Sequence, residues 1–169
     1  MEKAYLNILQ EIGENPERAG LKDTPKRAAN AMQFLMQGYT MDIDQVINDA
    51  LFPSLSDEMV IVKDIELYSM CEHHFLPIIG KAHVGYISSG KVIGLSKMHR
   101  IVNYFAKRPQ VQERMTVQIF NELKSVLETE DVGLFIDADH LCVSSRGIKD
   151  ITSSTITIEA GGQFKDDKQ

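Results

Sequence analysis

The amino-acid sequence predicts an α+β fold: an antiparallel sheet with helices packed on one face, led in by an N-terminal helical segment. Three observations carry this reading. Apolar residues recur at helical spacing through roughly the first 50 positions, and from Met59 the pattern changes to β-rich runs. Two helical stretches between Lys97 and Leu127 separate an early group of strand-like runs from a late one. Helices and strands that come in blocks, rather than in strict alternation, belong to layered α+β architectures.

In chain order, Tyr5, Leu6, Ile8, Leu9 and Ile12 fall on one helical face, and Gly13 suits a stop. Glu14 to Lys22, with Pro16 and Gly20, reads as a loop. Asp23 or Thr24 can cap a second helix whose first position is Pro25, where a missing N–H does no harm. That helix runs through Ala28, Ala31, Met32 and Leu35 to Gly38, and Asp42 to Ala50 suits a shorter one. Met59 to Leu67 reads as a strand that breaks at Cys71, and Lys81 to Ile87 as another. A turn at Ser88 to Lys91 leads into the short apolar run Val92 to Leu95. Ser96 is the expected N-cap of a helix over Lys97 to Lys107, and Pro109 the expected start of a longer one reaching Leu127. Val132 to Ile136, Leu141 to Ser145 and Ile151 to Glu159 read as strands, the last with Ile/Thr alternation. Gly161-Gly162 and the charged tail suit the end of the ordered fold. Residues 1–50 thus form the helical lead-in and 51–165 the sheet-bearing unit, within one globular body. A sheet of this kind leaves edges that invite pairing, so self-association is expected.

With 169 residues, 43% of them hydrophobic, the chain can build a real core. No apolar run approaches the roughly 20 residues of a membrane-spanning helix, and the start is polar rather than signal-like, so a cytoplasmic location is expected. A net charge of -6 and a pI near 5.3 argue against bulk nucleic-acid binding. There is no Gly-rich phosphate loop, so a nucleotide would have to be held by side chains.

The chemistry concentrates in Ser69-Met70-Cys71-Glu72-His73-His74-Phe75. Cys71 and His74 form a C-x-x-H pair that lets both side chains turn to one metal ion, and the only other cysteine is Cys142, two residues after His140. Two thiolates and an imidazole leave a fourth zinc position open to water, as in catalytic rather than structural sites. His73 and His140 remain beside these ligands as acid/base groups. On spacing alone, a structural metal or no metal remains an alternative. Either cysteine can be a buried hydrophobe, and a disulfide would need an oxidising compartment.

Together with Gly94-Leu95-Ser96-Lys97, Arg108-Pro109-Gln110-Val111-Gln112-Glu113-Arg114, Arg146-Gly147 and Asp23-Thr24-Pro25-Lys26-Arg27, these motifs resemble the GTP cyclohydrolase I family, in the same order and over nearly the whole chain. The resemblance implies a tunnelling fold and a toroidal homodecamer of two pentamers, with active sites between subunits. It implies conversion of GTP and water to formate and 7,8-dihydroneopterin triphosphate, which opens folate or other pterin biosynthesis. By the family's pattern, Cys71, His74 and Cys142 hold zinc, whose activated water attacks C8 of guanine. His73 and His140 move protons, His140 near N7, and Ser96 lies near the ribose. Glu113, with Gln112 beside it, takes the guanine edge, since a carboxylate suits adjacent N–H donors. Lys97, Arg100, Arg146 and Arg27 take the triphosphate, guanidinium forks being matched to phosphate oxygens. Without that pattern each of these residues would read as ordinary charged surface. Two departures touch phosphate binding: Ser144-Ser145 stand before Arg146-Gly147 where many members carry a basic or Met-containing pair, and Asn30 stands where some carry Lys. Two rival readings are a homologue arrested at the formylamino intermediate and a non-catalytic zinc-stabilised scaffold. Retention of His140 argues against the first, and His73 and His140, unspent as ligands, argue against the second.

Overall fold

The computed structural model describes residues 1–48 and 50–166. Its class is the expected one, an α+β arrangement with one sheet covered by helices on one face. The lead-in consists of α1 (Glu2–Glu11), α2 (Thr24–Leu35) and α3 (Ile43–Ile47). Gly13 follows α1 at φ 84°, a conformation that glycine adopts without strain. Asp42 caps α3 by accepting from the Asp44 N–H at 3.1 Å. Asp49, inside the helix expected over 42–50, lies outside the described residues, and α3 ends before it at Ile47.

The main sheet has the order β5-β2-β3-β6-β7, formed by β2 (Met59–Cys71), β3 (Pro77–Ile87), β5 (Pro109–Gln110), β6 (Val132–His140) and β7 (Thr155–Ala160). Its pairings are antiparallel except for β5, which lies parallel to the end of β2. A separate ribbon pairs β1 (Leu51–Pro53), a strand the sequence reading left unassigned, with β4 (Lys91–Ile93). Helices α4 (Leu95–Ala106) and α5 (Gln112–Leu127) bury Met98, Ile101, Val102, Met115, Ile119 and Leu123 against Ile65, Leu67, Ala82, Val84, Leu134 and Ile136. The opposite face keeps Ile61, Tyr68, Ile79, Ile156 and Ile158 exposed.

β2 changes phase halfway along. Its register with β3 shifts between Val62 and Ile65, where Asp64 takes φ 58°. This bulge lets Val60 and Val62 face the helices together with Ile65 and Leu67, although the two pairs differ in parity. His83 holds the bulge: its Nδ1 accepts from the Asp64 N–H at 3.3 Å. Lys81 Nζ donates to Asp64 Oδ1 at 3.0 Å.

Several boundaries differ from expectation for local physical reasons. Ser96 is not the cap of α4; Gly94 is, held in an extended conformation by its N–H bond to Ala50 O at 2.9 Å, so Ser96 falls inside the first turn. Pro109 does not open α5. With its neighbour Gln110 it forms β5 against Met70 and Cys71, and the helix starts at Gln112. Leu141–Ser145 is no strand but contains a single helical turn, α6 (Leu141–Ser144). Ser144 and Ser145 hydroxyls there donate to the carbonyls four residues back, His140 O and Leu141 O. The strand expected over Ile151–Glu159 begins only at Thr155, because Asp150 ties residues 150–153 into a turn. Its carboxylate accepts from Thr152 N–H, Thr152 hydroxyl and Ser153 N–H, and these bonds hold its pKa down to about 2.

Order also continues past Gly161-Gly162. The turn α7 (Gln163–Asp166) is pinned by Asp131 Oδ1, which accepts from the Gln163 N–H at 2.7 Å. It sets the Phe164 ring against Gly85 and Gly133, where a Cβ on Gly133 would stand 2.8 Å from the ring. Phe164→Ala should therefore lower the unfolding free energy by about 1–3 kcal/mol, less than for a fully buried phenylalanine because the ring is half-buried. Chemical denaturation measures this, and an unchanged midpoint would show that the ring contributes no packing energy.

Candidate metal centre and active site

The turn joining β2 to β3 builds the first part of the site. Cys71 N–H donates to Leu76 O and Phe75 N–H to Cys71 O, both at 2.8 Å, while Phe75 takes φ 53°. This closure folds His74 back over Cys71, leaving the thiol sulfur 3.8 Å from His74 Nδ1. Cys142 arrives from the other side of β3. In the ladder, Ile78 faces His140 at the end of β6, and α6 carries Cys142 one residue into its turn.

One donor atom from each of Cys71, His74 and Cys142 lies within 4.8 Å of the others. Zn–S bonds of about 2.3 Å and Zn–N bonds of about 2.0–2.1 Å in a tetrahedron imply donor separations of roughly 3.5–3.8 Å. The group therefore fits a single metal ion. Among the described residues no fourth His, Cys, Asp or Glu joins it, so one vertex is left unclaimed by protein. Burial, and then the neighbouring Cys71 thiol, push the Cys142 pKa up, with Arg146 acting weakly the other way. A cation among these donors reverses that balance, since metal ligation takes the thiolate form.

His140 stands beside the group at the junction of β6 and α6. Its Nε2 lies 2.7 Å from Gln112 Oε1. Burial lowers its pKa, opposed in part by the carboxylates of Glu113 and Asp139. Glu113, exposed on the first turn of α5, is thus within electrostatic reach of His140. Gln112 is 1% exposed, and its Nε2 donates to Thr155 O at 2.8 Å, Thr157 Oγ1 at 3.1 Å and Ile136 O at 3.3 Å. Its side-chain amide is spent inside the fold.

His73 is exposed, and its Nε2 lies 3.9 Å from Glu72 Oε1. Glu72 is in turn held by Arg114, the first cause of its lowered pKa. Arg114 Nε donates to Gln110 Oε1 at 3.2 Å, and the Glu72 N–H donates to Gln110 O at 3.1 Å. Sequence reasoning missed this bracket. The available signal was the spacing of Gln110 and Arg114, four apart at the start of a helix and so close in space.

The remaining expected site residues are not gathered there. Ser96, Lys97 and Arg100 sit on the N-terminal half of α4, where Lys97 Nζ donates to Val46 O at 3.1 Å. The other end of α4 faces the metal centre, since Gln110 Nε2 donates to Phe105 O at 2.9 Å. At about 1.5 Å rise per residue, Lys97 and the end of α4 are roughly 15 Å apart. Arg100 instead lines a cleft of about 630 Å³ with His99, Asn103, Asp42 and Lys107. Arg27 is exposed on α2 and paired with Asp23 at 3.3 Å. Arg146 is exposed just beyond α6 and adds its charge to the surroundings of Cys142.

A model of the family described as GTP cyclohydrolase I matches residues 1–169. The chain belongs to the GTP cyclohydrolase I family. It is 53% identical over 166 residues to a protein named GTP cyclohydrolase 1 from Alkalilimnicola ehrlichii, covering 98% of this chain and 90% of that one. It is 51% identical to GTP cyclohydrolase 1 2 from Pseudomonas aeruginosa, covering 98% and 92%. It is also 51% identical to GTP cyclohydrolase 1 from Campylobacter curvus, covering 96% and 86%. No helix among the described residues is long and apolar enough to cross a membrane.

Chelator-stripped protein titrated with Zn2+ against a chromophoric competitor should take up one ion per chain. Cys142→Ala should weaken that binding by about 100-fold or more, since even outer-shell substitutions cost 10–100-fold. Undiminished stoichiometric binding in Cys142→Ala would remove this residue from the ligand set.

Proposed function

We propose that the chain catalyses the GTP cyclohydrolase I reaction, hydrolysing the imidazole portion of the GTP purine at C8, releasing formate and rearranging to 7,8-dihydroneopterin triphosphate. The observation that carries this reading is the Cys71, His74 and Cys142 group with its unclaimed vertex, next to His140, in a chain of this family. Zinc bound by these three residues would supply a Lewis acid and lower the pKa of a coordinated water towards about 7.

The protein groups divide the remaining work. The Glu113 carboxylate accepts from the adjacent N–H donors of the guanine edge, fixing C8 towards the metal centre. His140 and His73 deliver and collect protons as the C8–N bonds break, His140 at N7. Ser96 stands by the ribose during the rearrangement that precedes closure of the pterin ring. Arg146, with Lys97, Arg100 and Arg27, holds the triphosphate.

The position of α4 supports an active site shared between copies. Lys97 and Ser96 stand too far along the helix to serve the metal group of their own chain, so a second chain supplies them. The open edge of β7 and the exposed apolar outer face support assembly of the sheets into a larger barrel. A homodecamer of two pentamers is the assembly we propose. The two cysteines are free thiols, which suits a reducing cytoplasm.

Zinc-loaded protein incubated with GTP should release formate and yield neopterin fluorescence after oxidation, with His140→Ala losing about 10²- to 10⁴-fold in kcat and Cys142→Ala inactive. Ring opening with no pterin would indicate an arrested homologue, and inertness with one tightly bound zinc would indicate a scaffold. Two inactive variants, Lys97→Ala and Cys142→Ala, should regain activity when dissociated and reassembled together. Random mixing in a symmetric assembly restores about a quarter of the shared sites. No recovery in the mixture would confine each site to one chain.

A further inference from the structure

We propose that Gln112 is a positioning residue that fixes which nitrogen of His140 carries the ring proton, holding His140 as the Nε2–H tautomer. This rests on the reading of His140 as a proton-transfer group and assigns the atom at which the transfer occurs. The direction of each hydrogen bond around Gln112 decides the tautomer. Backbone carbonyls can only accept. Gln112 places one end of its amide 2.8 Å from Thr155 O and 3.3 Å from Ile136 O, so that end must be the NH2 group. Turning the amide over would set its oxygen against two carbonyl oxygens in a site that is 1% exposed, where neither carbonyl can donate to it.

A second chain of bonds enforces the same polarity. Gln112 Nε2 also reaches Thr157 Oγ1 at 3.1 Å, and Thr157 Oγ1 lies 2.7 Å from Thr116 Oγ1. Thr116 in turn donates to the Gln112 backbone carbonyl at 2.7 Å, four residues back on α5. With that terminus fixed as an acceptor, Thr116 has spent its proton, so Thr157 must donate to Thr116. Thr157 is then free to accept from Gln112. Every hydrogen in the loop points one way.

The remaining amide atom, Oε1, faces His140 Nε2 at 2.7 Å. An amide oxygen can only accept, so Nε2 must carry a proton in every charge state of the ring. In the neutral ring, Nδ1 then holds the lone pair, and among the described residues it has no hydrogen-bond partner. His140 therefore exchanges its proton with substrate at Nδ1, while Nε2 serves as a fixed pivot. Gln112 acts on the reaction through His140 and does not touch the guanine.

The test uses zinc-loaded protein labelled with ¹⁵N in its histidine rings, studied by magic-angle-spinning NMR, which tolerates a large assembly. A His140→Ala sample identifies the His140 signals by difference. The expected wild-type spectrum, recorded at a pH where the ring is neutral, shows His140 with protonated Nε2 and bare Nδ1. An Nδ1–H tautomer would overturn the proposal outright, whether or not the protein turns over GTP. Gln112→Met keeps the length of the side chain and removes its polarity. It should give a mixture of tautomers and lower kcat for GTP by about 10²-fold, with KM changed less than about threefold. A raised KM with unchanged kcat would make Gln112 a substrate contact instead, and an unchanged tautomer in Gln112→Met would deny it the positioning role. If Gln112→Met does not fold, the wild-type spectrum still decides. A protein with the expected tautomer but no turnover would retain the positioning geometry and lose only the proposed reaction.

Discussion

The tight closure between β2 and β3 is the constraint on which the site depends. Two hydrogen bonds and one left-handed residue, Phe75, bend the chain back on itself within the span from Cys71 to Leu76. The same closure sets the register of β3, because Met70 then faces Pro77. Through β3 it also sets the register of β6, placing His140 opposite Ile78 and Cys142 just beyond. A one-residue slip of a strand would turn its side chains to the wrong face, and the buried positions of β3 and β6 forbid that. The thiol and imidazole pair from one segment, and the thiol from another some 70 residues later, are therefore brought together by the ladder and not by any direct link between them.

The start of α5 shows how the fold accommodates polarity under its helical layer. Gln110, Gln112 and Thr116 are almost completely buried, in a place where unpaired polar atoms would cost free energy. They are bonded into two parts of the frame. Gln110 joins the end of α4, Arg114 and Gln118. Gln112 and Thr116 join β6, β7 and His140. These bonds fix the end of the helix layer against the end of the sheet, and the metal centre lies at that junction. Buried polar networks of this sort specify one arrangement more sharply than apolar packing does.

Much of this was legible in the sequence. The period-two runs located the strands that lie between helices, and the scarcity of cysteine made Cys71, His74 and Cys142 an evident group. What escaped was decided by neighbours distant in sequence. Ser96 is a better cap than glycine by local preference, yet the bond from Gly94 to Ala50 starts the helix earlier. Leu141 to Ser145 has the apolar content of a strand, but β6 has already reached the end of its partner. Pro109 suits a helix start, while the backbone beside it finds an edge at Met70 and Cys71. The separation of Lys97 from Cys71 follows from the direction α4 takes, which spacing does not encode. Gln112 had the right chemistry for a purine edge, and only its buried partners reveal that the amide is already used.

The bulge in β2 has a consequence for how this chain can change length. On either side of Asp64 the strand follows two different alternation rules, joined by a single irregular step. Lys63 and Asp64 together stand opposite the single His83, so deleting one of them would leave a regular strand with no irregular step. Val60 and Val62 would then share the parity of Ile65 and Leu67 and stay against the helices, with Ile61 still on the outer face. A single loss at this point therefore preserves the layering. The half of the strand that leads to the metal centre keeps its register through that change in length.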